Sequence, residues 1–188
     1  MNSDSHHPLN LAPSPWIERF AHLVPAGARV LDVAAGSGRH ALYFAHRGNR
    51  VVAVDRDAAM LATFAGAPDV EVQAVDLETG SWPFAHETFD AIVVINYLHR
   101  ALMPHLLSSL AADGTFLYET FAAGNQAYGR PTNPEFLLQE GELLETVRGH
   151  LTVVAFEQGL SPNRDRSAVI ERIAAVGRAR AWPPPLGC

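Results

Sequence analysis

The chain has 188 residues, 48% of them hydrophobic, enough for one globular core, and its formal net charge of −6 argues against a general nucleic-acid-binding face. No apolar run approaches the roughly 18 residues of a membrane helix, and the N-terminus lacks a basic region followed by an apolar one. All 14 basic residues are arginine, which excludes a Walker A loop, a Schiff-base mechanism and a tyrosine–lysine dyad; the single cysteine, Cys188, permits no internal disulfide or thiolate metal site. A cytoplasmic protein with no membrane partner is expected, and with nine scattered histidines no metal site.

Residues 1–15 lack periodicity and read as a flexible tail, His6 and His7 included. Ser14-Pro15 then supplies an N-cap and a first-turn proline for a helix carrying Trp16, Ile17, Phe20 and Leu23. Those residues suit packing on a sheet, with Trp16 and Phe20 also candidates to close a site. Arg29–Val33 is a short β-branched run and predicts a buried strand. It turns through Ala34-Ala35-Gly36-Ser37-Gly38 into a helix from Arg39 that Gly48 stops. Strand, glycine turn and helix together hold anionic or polar ligands, because glycine lets the backbone approach and the helix N-terminus offers unpaired N–H groups. The second strand, Arg50–Asp55, ends in a carboxylate 19 residues after Gly36, placed to accept both hydroxyls of a ribose.

A helix over Asp57–Phe64 follows, then a third strand over Val70–Val75 that leads into Asp76-Leu77. Trp82 and Phe84 lie in a loop, where they cap the core or flank a ligand. Phe89–Ile95 is the most hydrophobic strand and belongs at the sheet centre. After Asn96-Tyr97-Leu98-His99-Arg100, a helix marked by Leu102, Leu106, Leu107 and Leu110 closes at Asp113-Gly114, before a fifth strand over Thr115–Phe121. The loop 122–134 is long, glycine-rich and polar, a kind of segment that is usually functional. Asn133-Pro134 opens a helix that buries Phe136, Leu137, Leu143, Leu144 and Val147, with a break at Gly141. Leu151–Phe156 and Ala168–Val176, joined through Ser161–Arg166, predict an antiparallel hairpin, and residues 179–188 a loose tail. The whole predicts an α/β, Rossmann-like, doubly wound seven-stranded sheet, mostly parallel with a C-terminal antiparallel hairpin, over residues 16–178.

Gly36-Ser-Gly38-Arg-His-Ala41 also spells the dinucleotide fingerprint. Asp32 opposes that reading, since a carboxylate four residues before Gly36 would repel a pyrophosphate but suits a cofactor carrying an ammonium group. Asp32, the Ala34-x-Gly36-x-Gly38 turn and Asp55 resemble the first two motifs of class I S-adenosylmethionine (SAM)-dependent methyltransferases, with Ala34 at the family's usual first glycine. Phe89-Asp90, the helix after it and the Gly114-Thr-Phe-Leu117 strand start resemble later family segments, so the likeness covers roughly Trp16 to Arg178. Gly36-x-Gly38-Arg39 with Ala41–Ala45 is most similar to the small single-domain enzymes related to tellurite-resistance methyltransferases. The resemblance implies SAM as cofactor, S-adenosylhomocysteine (SAH) as product, and a binding set of Asp32, Ala34, Gly36, Gly38, Arg39, Asp55, Arg56, Asp76, Leu77 and Asn96. Within that set Asp76 would meet the adenine amino group and Arg56 the adenine face.

Ligands of open α/β sheets sit at the carboxyl ends of the strands. The acceptor is therefore expected beside Tyr97, Arg100, Tyr128 and Arg130, with Glu119 and His99 as candidate catalytic residues. Glu119 shares a strand face with Thr115, Leu117 and Phe121, where an unpaired carboxylate is costly. It is either a base or acceptor-orienting group, or one half of an ion pair with Arg130 or Arg100. His99 is either a base, as the imidazole side chain allows, or a surface residue; the two arginines clamp an anionic acceptor or fix the loop. The expected function is methyl transfer from SAM to a small-molecule acceptor by a monomer or homodimer. An NAD(P)-dependent oxidoreductase and a non-catalytic SAM-binding regulatory module are the alternatives.

Overall fold

β-Branched residues crowd the short runs Arg29–Val33 (β1), Arg50–Asp55 (β2), Val70–Ala74 (β3) and Phe89–Ile95 (β4), where stiff side chains pack well on a pleated surface. With Leu110–Phe121 (β5), Leu151–Pro162 (β6) and Ser167–Gly177 (β7) they form one seven-stranded sheet in the order β3-β2-β1-β4-β5-β7-β6. The computed structural model describes residues 12–162 and 167–185; His6, His7, residues 163–166 and Cys188 lie outside the described residues. β1 to β5 run parallel, and β7 inserts antiparallel between β5 and β6. The expected doubly wound sheet and its terminal hairpin are thus both present. β1 pairs with β2 on one side and β4 on the other, so the chain order reverses there and a crevice opens at the carboxyl ends of β1 and β4.

Alternation along each strand feeds two cores. Leu31, Val33, Ile92, Val94, Phe116 and Tyr118 face the side closed by Met103–Ser108 (α4), Glu142–Val147 (α5) and the Trp82–Phe84 loop. Val30, Ala53, Ala91, Val93 and Leu117 face Pro15–Phe20 (α1), Arg39–His46 (α2) and Ala58–Ala62 (α3). Each fully buried Leu, Ile or Phe contributes about 1.5–3 kcal/mol. Trp82 and Phe84 are core residues rather than ligand contacts, and the Trp82 indole N–H donates to Ser109 Oγ at 2.9 Å. Trp16 and Phe20 likewise pack inside, the Trp16 indole N–H donating to the Ile173 carbonyl at 3.2 Å. No helix among the described residues is long and apolar enough to cross a membrane.

Several boundaries differ from expectation. β5 begins at Leu110 rather than Thr115, because the β4–β5 register shifts between Phe89 and Ala91 and lets Leu110 pair with Phe89. The expected helix from residue 134 is a short 3₁₀ turn, Pro134–Phe136, then extended chain through Leu138, which bridges Ala122, and only then α5. Ser14 is buried, and Arg180 donates to the carbonyls of Asp113 and Leu23, both at 2.9 Å.

Candidate active site

Ala34 follows β1 and Asn96 follows β4, and both are non-glycine residues with left-handed backbones, φ 55° and 58°. Such conformations are unfavourable away from functional turns. Here they turn the chain outward at two neighbouring strand ends, on the rim of a cleft of about 390 Å³. Ala34, Asp55, Arg56, Asp76, Leu77, Asn96 and Tyr97 all line it, so seven of the residues singled out in the sequence meet in one place.

Asp55 is held at the end of β2 by two backbone donors. Its Oδ2 accepts the Gly36 N–H at 2.8 Å and its Oδ1 the Asp57 N–H at 2.9 Å, which leaves further lone pairs on each oxygen for a diol. Asp76 is steadied in the same way, its Oδ1 accepting from the Glu78 N–H at 2.9 Å. Tyr97 stays a protonated phenol, because burial and then the neighbouring Glu78 push its pKa up. The Tyr118 hydroxyl donates to the Tyr97 carbonyl at 2.8 Å and fixes the backbone there.

The glycine turn lies beside this cleft. A Cβ on Gly36 would meet nothing within 4 Å and would project into open space, as expected where a ligand approaches the backbone. Gly38 differs: a Cβ there would come within 2.6 Å of the Phe64 ring, and its N–H donates to the Ala35 carbonyl at 2.9 Å. It shapes the turn and packs against the core. Asp32 is 1% exposed, and its Oδ2 has no hydrogen-bond partner among the described residues. Burial pushes its pKa up to about 7, against the opposing pull of the Ala41 N–H and the Arg39 guanidinium. Arg39 opens α2 and forms no hydrogen bond or ion pair with the described residues; burial lowers its pKa while Glu119 and Asp32 raise it. A buried acceptor without a donor and a cation without a hydrogen-bonded anion thus flank one turn. That pair complements an α-amino acid, whose ammonium and carboxylate supply what each lacks.

The acceptor-side candidates fare differently. Glu119 does not line the cleft: its Oε1 accepts the Ser14 hydroxyl at 2.8 Å and its Oε2 pairs with Arg172 at 3.1 Å. The expected partner, Arg130 or Arg100, is therefore corrected to Arg172, which sits opposite Glu119 in the β5–β7 register. Arg100 is engaged through all three nitrogens, with Glu142 and with the carbonyls of Glu135 and Leu137, so it fixes a loop, and its charge is paired with Glu142. His99, Tyr128 and Arg130 do not line the cleft either, the last two lying exposed on the 122–134 loop.

Thr120, Phe121, Pro131 and Phe136 line it instead. Thr120 and Phe121 were within reach of the strand-end argument that selected Glu119. Phe136 carried no such signal, since helical spacing assigned it to the core. Ser14 was legible as a cap, and it is one, accepting the Trp16 N–H at 3.1 Å; its N–H also donates to His40 Nε2 at 3.2 Å. Burial, and then the Arg39 charge, push His40 down to about 3, so it stays a neutral acceptor.

Residues 30–113 match the family model described as Methyltransferase domain. The demethylmenaquinone methyltransferase of Thermobifida fusca (strain YX) is 40% identical over 73 residues, a stretch covering 37% of this chain and 31% of that enzyme. The chain therefore spans about a third of the curated relative it matches. Among solved structures, TehB from Haemophilus influenzae superposes with a TM-score of 0.72 at 17% identity, covering 87% of this chain and 61% of that one. The 1,6-didemethyltoxoflavin-N1-methyltransferase of Burkholderia thailandensis, solved with 1,6-didemethyltoxoflavin and S-adenosylhomocysteine, gives a TM-score of 0.62 at 23% identity, covering 86% and 76%. At these identities the structural likeness is one of fold. Family match and fold together bear out the resemblance to class I SAM-dependent methyltransferases, TehB among them.

Proposed function

We propose that this protein is a SAM-dependent methyltransferase acting on a small molecule. The observation that carries the reading is the complementary pair at the glycine turn: among the described residues, Asp32 has a buried oxygen with no hydrogen-bond partner and Arg39 a guanidinium with no hydrogen bond or ion pair. Dinucleotides offer no ammonium to Asp32, so the pair favours SAM over NAD. Asp55 would take the ribose diol, Asp76 the adenine amino group, and Arg56 and Leu77 the adenine faces. SAM held there would supply an electrophilic methyl on its sulfonium to the acceptor, with SAH as the other product.

The chain's part is alignment and the exclusion of water, which supply most of the acceleration in such a displacement. Asn96, Tyr97 and Thr120 line the same cleft as the residues assigned to the cofactor. Glu119 serves as a strut between the N-terminal segment and the sheet, since both its oxygens are occupied. A cleft of about 390 Å³, lined by the residues assigned here to the ribose and adenine, is of a size that takes small-molecule ligands. A cytoplasmic setting is supported by the lone cysteine, which leaves no disulfide within the chain.

Calorimetric titration tests the reading. SAH should bind in the low micromolar range, about 8 kcal/mol, and NAD should not. Tight NAD binding with no SAH binding would overturn it.

A further inference from the structure

The outer wall of the cleft carries an aromatic ring that the fold holds in place and leaves uncovered. Phe136 is 49% exposed and lines the cleft, although Leu137 and Leu138 beside it are buried. The segment is fastened on both sides of that ring. Asn133 Oδ1 accepts the Glu135 N–H at 3.1 Å, and Arg100 donates to the carbonyls of Glu135 at 2.7 Å and Leu137 at 2.8 Å, so one guanidinium spans residue 136. Glu142 holds that guanidinium through both carboxylate oxygens, at 2.6 and 2.9 Å. Glu142 opens α5, and buried Glu171 of β7 fixes the start of that helix by accepting the N–H groups of Gly141 at 2.9 Å and Leu143 at 2.5 Å. A relay from the sheet interior thus ends at one presented ring. An apolar face held ready in a cleft is a recognition surface, because its ordering cost is met on folding rather than on binding. The charged groups lining the cleft are Asp55, Asp76 and Glu78 against Arg56 alone, a balance that disfavours anions.

We propose that Phe136 determines acceptor specificity, and that the acceptor is a planar aromatic compound without negative charge whose ring lies on Phe136, with Arg100 as a positioning residue. The proposal rests on the methyltransferase reading above. Its test is calorimetric titration of the SAH-saturated protein with 2-naphthol, decahydro-2-naphthol and 2-naphthoate, which share a skeleton and differ in planarity or charge. 2-Naphthol should bind at least tenfold more tightly than either of the others. Phe136→Leu, a change at an exposed position, should remove the preference for the planar ring. Arg100→Gln should weaken 2-naphthol at least threefold with SAH affinity unchanged. No binding of 2-naphthol, equal binding of the three compounds, or an intact preference in Phe136→Leu would each overturn the proposal. Failure of the unaltered protein to bind SAH overturns the methyltransferase reading instead, and is read in the first titration before any ring compound is added.

Discussion

Glu119 and Arg172 face each other across β5 and β7, Oε2 3.1 Å from Nη1, in a pair whose side chains are only 13% and 21% exposed. Arg172 is held from its other side by Glu157, at 3.0 and 2.5 Å, and the free oxygen of Glu119 takes the Ser14 hydroxyl at 2.8 Å. The carboxylate therefore ties the N-terminal segment to the sheet. Glu119→Gln is expected to lower stability by about 1.5–3 kcal/mol, the range for losing a hydrogen bond to a charged group, and to leave methyl transfer within a few-fold. Thermal melting and transfer from tritiated SAM on the same variant check this. A fall of about 10²–10⁴-fold in rate with unchanged melting would return Glu119 to the role of base.

Asp32 is expected to make cofactor binding depend on pH. Its pKa is about 7 in the folded protein against 3.8 as an ordinary aspartate. Between those values the folded chain keeps a proton that the unfolded chain has released, so this group's contribution to stability is full below pH 3.8 and lost as pH rises through 7. Asp32→Asn should accordingly raise the melting temperature of the cofactor-free protein at pH 8. An ammonium at Oδ2 favours the ionised carboxylate, so SAH binding should release a proton below pH 7. Its Kd should rise up to about tenfold per unit of acidification there and level off above. Calorimetry in buffers of different ionisation enthalpy measures the proton directly; a Kd flat from pH 5.5 to 8 would contradict the assignment.

The two glycines of the turn should fail in different ways. Gly38→Ala drives a Cβ to 2.6 Å from the Phe64 ring at φ +75°, which should cost about 1–3 kcal/mol from overpacking plus about 1–2 kcal/mol of left-handed strain. Phe64→Leu should recover part of that loss. Gly36→Ala meets no protein atom within 4 Å, so it should cost only the strain, about 1–2 kcal/mol, yet abolish SAH binding by occupying the ligand's space. Melting curves with and without SAH distinguish the two. Tight SAH binding by Gly36→Ala would place the cofactor elsewhere.

Asp55 and Asp76 should separate in the same assay. Asp55→Ala removes the acceptor for the Gly36 and Asp57 N–H groups as well as for the ribose, so melting temperature and SAH affinity should fall together, the affinity by about 10–150-fold. Asp76→Ala breaks only a local turn bond to Glu78 at an exposed site, so SAH should weaken with little change in melting. Unaltered SAH affinity in Asp76→Ala would remove it from the adenine site.

The strands, the glycine turn and the acids at the ends of β1, β2 and β3 were legible in the sequence, because each is a local property. Alternation of apolar residues, glycines in a tight turn and an acid near a strand end depend on near neighbours alone. Asp32, Asp55 and Asp76 could therefore be named without coordinates. The acceptor side was decided by contacts between distant parts of the chain. Arg172, 53 residues from Glu119, is its partner only because β7 inserts antiparallel beside β5 in that register. Arg100, 42 residues from Glu142, holds the carbonyls of Glu135 and Leu137 where the chain leaves the short Pro134–Phe136 turn for an extended path instead of the helix its spacing suggested, and Phe136 lines the cleft rather than the core. Local periodicity selects the elements and marks the residues at their ends. Strand order and register select which charges meet, and those meetings determine which side chains remain free to touch a ligand.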